Sequence, residues 1–346
     1  MKQGRIAGID IVKVVAIFFV ITIHTMGQTH ILAMDMHGLR AFAIIFIRYL
    51  VMSCVPLFLM ITGYLQSKKT VSGKFYKGIL PILATYLFVS IFSVWYNISV
   101  AQMDLGVRGT LISVLNFTAN NYAWYVEMFI GLFLVIPFLN GAFHSQDKAW
   151  KKLLLIAILA CFTVLPTLYL TFPSDYTYDI VPDYWTICYP ITYYFIGMYF
   201  RDYQPKLNKL VNIVFIILAS LVPTLLEFIA ADGGPFADYV MNGFNSVSAF
   251  VIALLVFWLL YDLDLSVRPI RLLVSDVAKC SLSIYLFSNL VEKILYAHTP
   301  AAFPLRLPIM VLLVFVFSYA AAKVQDLVFA VIRLIYRKIR RKASES

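Results

Sequence analysis

Lys13 and His24 stand eleven residues apart in the first long apolar stretch of the chain, in GIDIVKVV and FFVITIHT. Ionisable side chains are costly in hydrocarbon, so two of them on one membrane helix point to an internal pathway or a reaction site rather than a plain anchor. At about 100° per residue, eleven steps overshoot three full turns by about 20°, so both side chains leave one face, about 16 Å apart along the axis. One helix can then hold both ends of a long ligand. Lysine offers a cation for an anionic group, and a neutral imidazole can take a proton at physiological pH.

The elements that must carry such a pair follow from composition. With 62% hydrophobic residues, 13% charged residues and a mean hydropathy of +0.84, a soluble globular domain is excluded. Apolar runs long enough to cross about 30 Å of hydrocarbon fall near 9 to 27, 41 to 65, 79 to 98, 123 to 140, 153 to 172, 184 to 200, 210 to 230, 243 to 261, 280 to 297 and 305 to 332. None alternates as a barrel strand does, so an all-α polytopic membrane protein with ten transmembrane helices is predicted.

Charge placement orients that bundle. With the N-terminus inside, 21 of the 28 Lys and Arg fall in cytoplasmic segments, and only Arg40, Arg108 and Arg306 fall outside. Both termini are therefore expected in the cytoplasm, with one transmembrane domain over residues 1–332 and a basic tail over 333–346. The net charge of +10 belongs to this inside bias; the tail suits anionic lipid headgroups, and nucleic acid is not expected as a partner. Cys54, Cys161, Cys188 and Cys280 lie in or beside apolar segments and read as reduced core residues. Neither they nor His30, His37, His144 and His298 make a metal-ligand set, so no metal is expected.

On the predicted outer side, the connection from 99 to 122 holds Asp104 and Arg108 and reads as a lid or a mobile loop. Loops 172 to 183 and 231 to 242 carry Asp175, Asp179, Asp183, Asp232 and Asp238 without Lys or Arg, which would repel an anionic acceptor or simply reflects exclusion of cations. Asn97 and Asn116 head N-x-Ser/Thr sequons.

A basic residue, ten intervening positions and a histidine on the first helix resemble the signature of the acyltransferase 3 family of integral membrane acyltransferases. PLFLMITGYL from Pro56 is similar to the family's Phe-Phe-x-x-Ser-Gly-Tyr-Leu stretch, with Thr62 in place of serine. FYKGILPILATY, AWYVEMFIGLFLVIP from Ala123 and CSLSIYLFSNLV from Cys280 resemble three further family segments in the same order. The chain resembles the short form, without an extracellular esterase-like domain. It departs in having Lys74 and Lys77 where the family often has two arginines, and Ser288 with Asn289 where many members carry histidine.

The resemblance implies a membrane O-acyltransferase that moves an acyl group, expected to be acetyl, from cytosolic acyl-coenzyme A to a hydroxyl of a cell-envelope glycan or lipid-linked sugar. His24 is the catalytic candidate, as general base or as acyl carrier. Lys13, Lys74 and Lys77 are the candidates for the coenzyme A phosphates; Lys13 also reads as a snorkelling side chain, and the other two as ordinary inside charges. Arg48, Glu127 and Glu292 are acceptor-binding candidates, joined by Tyr285 and Asn289 in the late family-like segment. Trp124, with Tyr122 and Tyr125, is an interfacial anchor or a sugar platform. Lys323 and Asp326 read as a local ion pair. Location in a bacterial plasma membrane is expected, with membrane lipids, envelope-glycan synthesis proteins or a second copy of the chain as partners. A secondary transporter or glycan exporter, with the same charges lining a route, is the alternative.

Overall fold

The computed structural model describes residues 6–29, 31–171, 181–237, 242–297 and 307–345. Fourteen α-helices carry these residues: α1 Ala7–Gln28, α2 Gly38–Val51, α3 Cys54–Gln66, α4 Gly73–Tyr76, α5 Leu80–Ser99, α6 Gly106–Leu115, α7 Trp124–His144, α8 Ala149–Thr163, α9 Tyr189–Tyr203, α10 Lys209–Ala231, α11 Val247–Leu260, α12 Arg268–Lys279, α13 Ser281–Ala297 and α14 Leu307–Glu345. No strand occurs among the described residues. Backbone amides satisfied within each segment are what hydrocarbon demands.

Seven helical runs among the described residues are long and apolar enough to cross a membrane, against ten apolar runs in the sequence. The difference lies in the expected segments 184–200, 243–261 and 280–297. Each holds a helix, but α9, α11 and α13 have only 15, 14 and 17 residues. Their ends explain this. A 3-10 run, Asp183–Cys188, occupies the start of the first segment, and Ser246, whose hydroxyl accepts from the Ala249 amide, caps α11 three residues inside the second.

The run expected as one helix over 41–65 is two. Pro56 has no N–H to return to the Met52 carbonyl, and the chain turns at Met52 and Ser53 between α2 and α3. Beyond the turn, α3 crosses α9 at backbone distance. Gly63 meets the Tyr194 carbonyl and Gly197 meets the Met60 carbonyl so closely that neither position has room for a Cβ. Without a hydrophobic drive between helices in lipid, close packing at small residues does this work. At the far end of α7, Asn140 donates to the Gln66 and Lys69 carbonyls at 2.8 and 2.7 Å and accepts from the Tyr194 hydroxyl at 2.7 Å, tying α7 to both helices.

Helix α1 is enclosed by α3, α12, α13 and α14, so the helix bearing Lys13 and His24 runs through the bundle rather than along its rim. The connection 99–122 lies along α5. Tyr86 donates to the Val114 carbonyl at 2.5 Å, Asn97 to the Ala119 carbonyl at 3.2 Å, and Asn120 to the Ser93 hydroxyl at 3.2 Å. These bonds fix the residues immediately before α7. Of the acidic outer-loop residues, Asp175, Asp179 and Asp238 lie outside the described residues, as do His30 and His298.

Lys323 does pair with Asp326, at 3.8 Å, but it is shared: Asp276 of α12 approaches it at 3.0 Å and also accepts from the Tyr319 hydroxyl at 2.5 Å. That cluster clamps α12 to α14.

Candidate active site

The site begins at the N-terminal end of α1 with a vestibule of about 410 Å³. Three cations from three helices line it: Lys13 of α1, Arg201 in the last turn of α9 and Lys279 at the end of α12, with the buried Asp10 beside them. The Arg201 guanidinium lies over the Tyr64 ring at 5.1 Å, a contact that fixes the fork while leaving its N–H groups available. Arg201 comes to this place because α9 is drawn against α3 at Gly63 and Gly197. A net positive mouth of this kind suits phosphate groups.

A second cavity, of about 260 Å³, shares Lys13, Leu65 and Ser281 with the vestibule. Its walls are apolar, with Val20, Val55, Phe58, Ile61, Ile82 and Phe129 contributed by α1, α3, α5 and α7. Thr62, at the serine position of the resemblance, lines it but turns its hydroxyl onto the Phe58 carbonyl at 2.8 Å. Tyr125 and Tyr285 also line it. Lys13 and Val20 both border the cavity, so it follows α1 for about 10 Å, at 1.5 Å per residue.

His24 is one helical turn beyond Val20 and is not part of the cavity lining. Its ring, part-buried, lies against Tyr122 with centroids 3.7 Å apart and planes 19° apart. Tyr122 in turn stacks on Tyr285, centroids 5.8 Å apart, and the Tyr285 hydroxyl donates to the Tyr122 carbonyl at 2.6 Å. A column of three rings therefore joins the imidazole to the cavity wall. The Tyr122 hydroxyl donates to Oε2 of the fully buried Glu292, whose Oε1 has no hydrogen-bond partner among the described residues. Asn289, one turn earlier on α13, is buried beside the Tyr122 hydroxyl.

Of the remaining expected residues, Arg48 stands close enough to His24 for the two charges to interact, and the others are distributed more widely. Arg48 reaches Asn242 at 3.2 Å and Met52 Sδ at 3.4 Å, with its guanidinium 5.8 Å from the Phe236 ring centroid. Close by, Glu227 of α10 is fully buried and accepts from the Tyr49 hydroxyl at 3.3 Å and from the Ala237 amide. Trp124 packs flat on Phe244, centroids 5.5 Å apart. Glu127 is exposed. Lys74 and Lys77 are exposed and line neither cavity.

Three residues of this assembly were not singled out from sequence as site residues. Arg201 and Lys279 read there as two inside charges among many, since nothing local marks a cation that another helix will enclose. Tyr122 read with Trp124 and Tyr125 as an interfacial anchor or a sugar platform, yet it is 4% exposed and packs on His24. The one sequence signal that places it inside is Asn120, two residues earlier, a buried amide serving three partners.

Seven helical runs able to cross a membrane among the described residues point to a multi-pass membrane protein, with an apolar cavity that borders a cationic one. Its family is shown by an acyltransferase domain model, acyltransferase 3, which matches residues 6–323 of the 346. The chain belongs to that family and is an acyltransferase of groups other than aminoacyl groups. No curated protein and no solved structure matches it.

Proposed function

We propose that the protein is a ten-span O-acyltransferase of a bacterial plasma membrane, with both termini cytoplasmic. It takes an acetyl group from cytosolic acetyl-coenzyme A and delivers it to a hydroxyl of a cell-envelope glycan or lipid-linked sugar. The observation that carries this reading is that the cationic vestibule and the apolar cavity share Lys13, Leu65 and Ser281 in their linings, and that the apolar cavity reaches Val20, one turn short of His24. Lys13, Arg201 and Lys279 hold the phosphates of the donor by charge-assisted hydrogen bonds, and the apolar cavity takes the pantetheine arm. Lys74 and Lys77, exposed nearby in sequence, supply long-range attraction rather than contact.

The thioester carbonyl then stands at the end of the cavity toward His24. The neutral imidazole takes the proton from the acceptor hydroxyl as its oxygen bonds to the carbonyl carbon. The carbon–sulfur bond breaks, and the departing thiolate takes up a proton from the imidazolium, so coenzyme A leaves as the free thiol. Glu292, Asn289 and Arg48 are the polar groups that orient the acceptor, and the donor's nucleotide end never leaves the vestibule. The test is reconstitution in liposomes with labelled acetyl-coenzyme A and envelope glycan. Equimolar free coenzyme A and a base-labile ester on the glycan are expected; glycan movement across the bilayer without esterification would instead mean transport.

A further inference from the structure

Among the described residues no hydrogen bond holds the His24 imidazole. A base that must receive a proton along one line is ordinarily oriented through its other ring nitrogen, commonly by a carboxylate or a carbonyl. Here the contact is a ring. Tyr122 lies nearly parallel to the imidazole at 3.7 Å, and Tyr122 is itself fixed at three points. Its amide donates to Asn120 Oδ1 at 2.9 Å, its carbonyl accepts from Tyr285, and its hydroxyl donates to Glu292. Asn120 is secured by its donation to the Leu286 carbonyl at 3.0 Å and to the Ser93 hydroxyl. Tyr122, two residues before α7, is thus held by α5 and α13 while its ring faces His24 of α1.

We infer that Tyr122 is the positioning residue for His24: its ring sets the plane of the imidazole, and Glu292 and Asn120 set the ring. The inference rests on the reading of His24 as the base. A stack restrains rotation about the imidazole's Cβ–Cγ bond while both nitrogens have no hydrogen-bond partner among the described residues, so one nitrogen remains available to the acceptor hydroxyl. A mere anchor for the outer end of α7 would need neither the parallel approach nor the bond to a buried carboxylate.

The experiment measures turnover per folded enzyme in liposomes for Tyr122→Phe and Tyr122→Leu beside His24→Ala. Tyr122→Phe keeps the ring over His24 but gives up its bond to Glu292, and is expected to lose about tenfold in kcat. Tyr122→Leu removes the ring and is expected to lose about 100-fold in kcat, the scale of a misplaced catalytic group, with the donor KM within about twofold. Unchanged kcat in folded Tyr122→Leu, or equal losses in the Phe and Leu variants, would overturn the inference. An active His24→Ala would instead overturn the reading on which it rests. A second measurement does not depend on variants at Tyr122. The carbon-bound ring protons of His24, assigned by their loss in His24→Gln, are expected to resonate upfield of the other histidines because of the ring current; an unshifted His24 signal in the parent overturns the inference even if Tyr122→Leu does not fold.

Discussion

Lys13 and His24 share one face of α1, but only Lys13 borders the cavity that rises between them; His24 is joined to the cavity wall through the rings of Tyr122 and Tyr285. On the proposed reading, the donor's charged end and the site of proton transfer are therefore held by different neighbours. Changes at one end should alter donor binding, and changes at the other should alter turnover.

Arg201→Ala is expected to raise the donor KM about 10- to 100-fold with little change in kcat, since one charge-assisted hydrogen bond contributes about 1.5–3 kcal/mol, and Lys279→Ala, at an exposed position, to raise it less. Lys13→Ala should act in the same direction. Lys74→Ala and Lys77→Ala should raise it less than about threefold, and more so at low salt, because both side chains are exposed and outside the vestibule. Initial-rate kinetics at two ionic strengths separates these cases. A larger effect from Lys74 or Lys77 than from Arg201 would transfer phosphate binding to the α4 segment.

Gly63→Ala and Gly197→Ala should each destabilise the bundle by about 1–3 kcal/mol or more, because the added methyl meets a backbone carbonyl that cannot move without separating α3 from α9. Gly141→Ala is the control. No atom lies within 4 Å of its added Cβ, and alanine should gain up to about 1 kcal/mol there by helix propensity. Unfolding midpoints in detergent would report both.

Asp276 lies outside the membrane-crossing runs, and the Tyr319 hydroxyl and then the Lys323 ammonium hold its carboxyl below the ordinary carboxylate value. A carboxylate depressed in the folded state contributes stability above its unfolded pKa and loses it as pH falls through the folded one. The clamp between α12 and α14 should therefore weaken as pH falls below the ordinary carboxylate range of about 4. Asp276→Asn should remove that pH dependence while lowering stability near neutrality; hydrogen exchange of the α12 amides at pH 3 and pH 7 is the measurement.

The two sequons should behave differently in a host that glycosylates. Asn116 is exposed at the end of α6, whereas Asn97 is 7% exposed and its amide nitrogen already donates to the Ala119 carbonyl. Glycosylation at Asn116 alone, read by mass spectrometry, is expected for a chain with its N-terminus inside. Modification of Asn97 would mean that the 99–122 connection does not lie along α5.

The helical class and the positions of the long elements were legible because apolar length is a local property of the sequence. The turn at Met52 and Ser53 was signalled by Pro56 but masked by the unbroken apolar run around it. The shortness of α9, α11 and α13 depends on where capping and 3-10 turns begin, which hydropathy does not register. At the site, Lys13 was legible from spacing because a cation on an apolar helix is conspicuous. Arg201 and Lys279 were not, since each looks like any inside charge until α9 and α12 close around α1. Tyr122 was obscured for the opposite reason: aromatic residues ahead of a membrane helix are common, and only the third dimension distinguishes a ring facing lipid from one facing an imidazole.

The central claim is that His24 performs the proton transfer for acyl transfer, and it is tested most directly by single-turnover kinetics with labelled acetyl-coenzyme A, parent against His24→Ala, at equal folded amounts and saturating donor. A loss of about 10²–10⁴-fold in the rate of ester formation, with donor affinity unchanged, is the expected result. Ester formation by His24→Ala at the parent's rate would contradict the account.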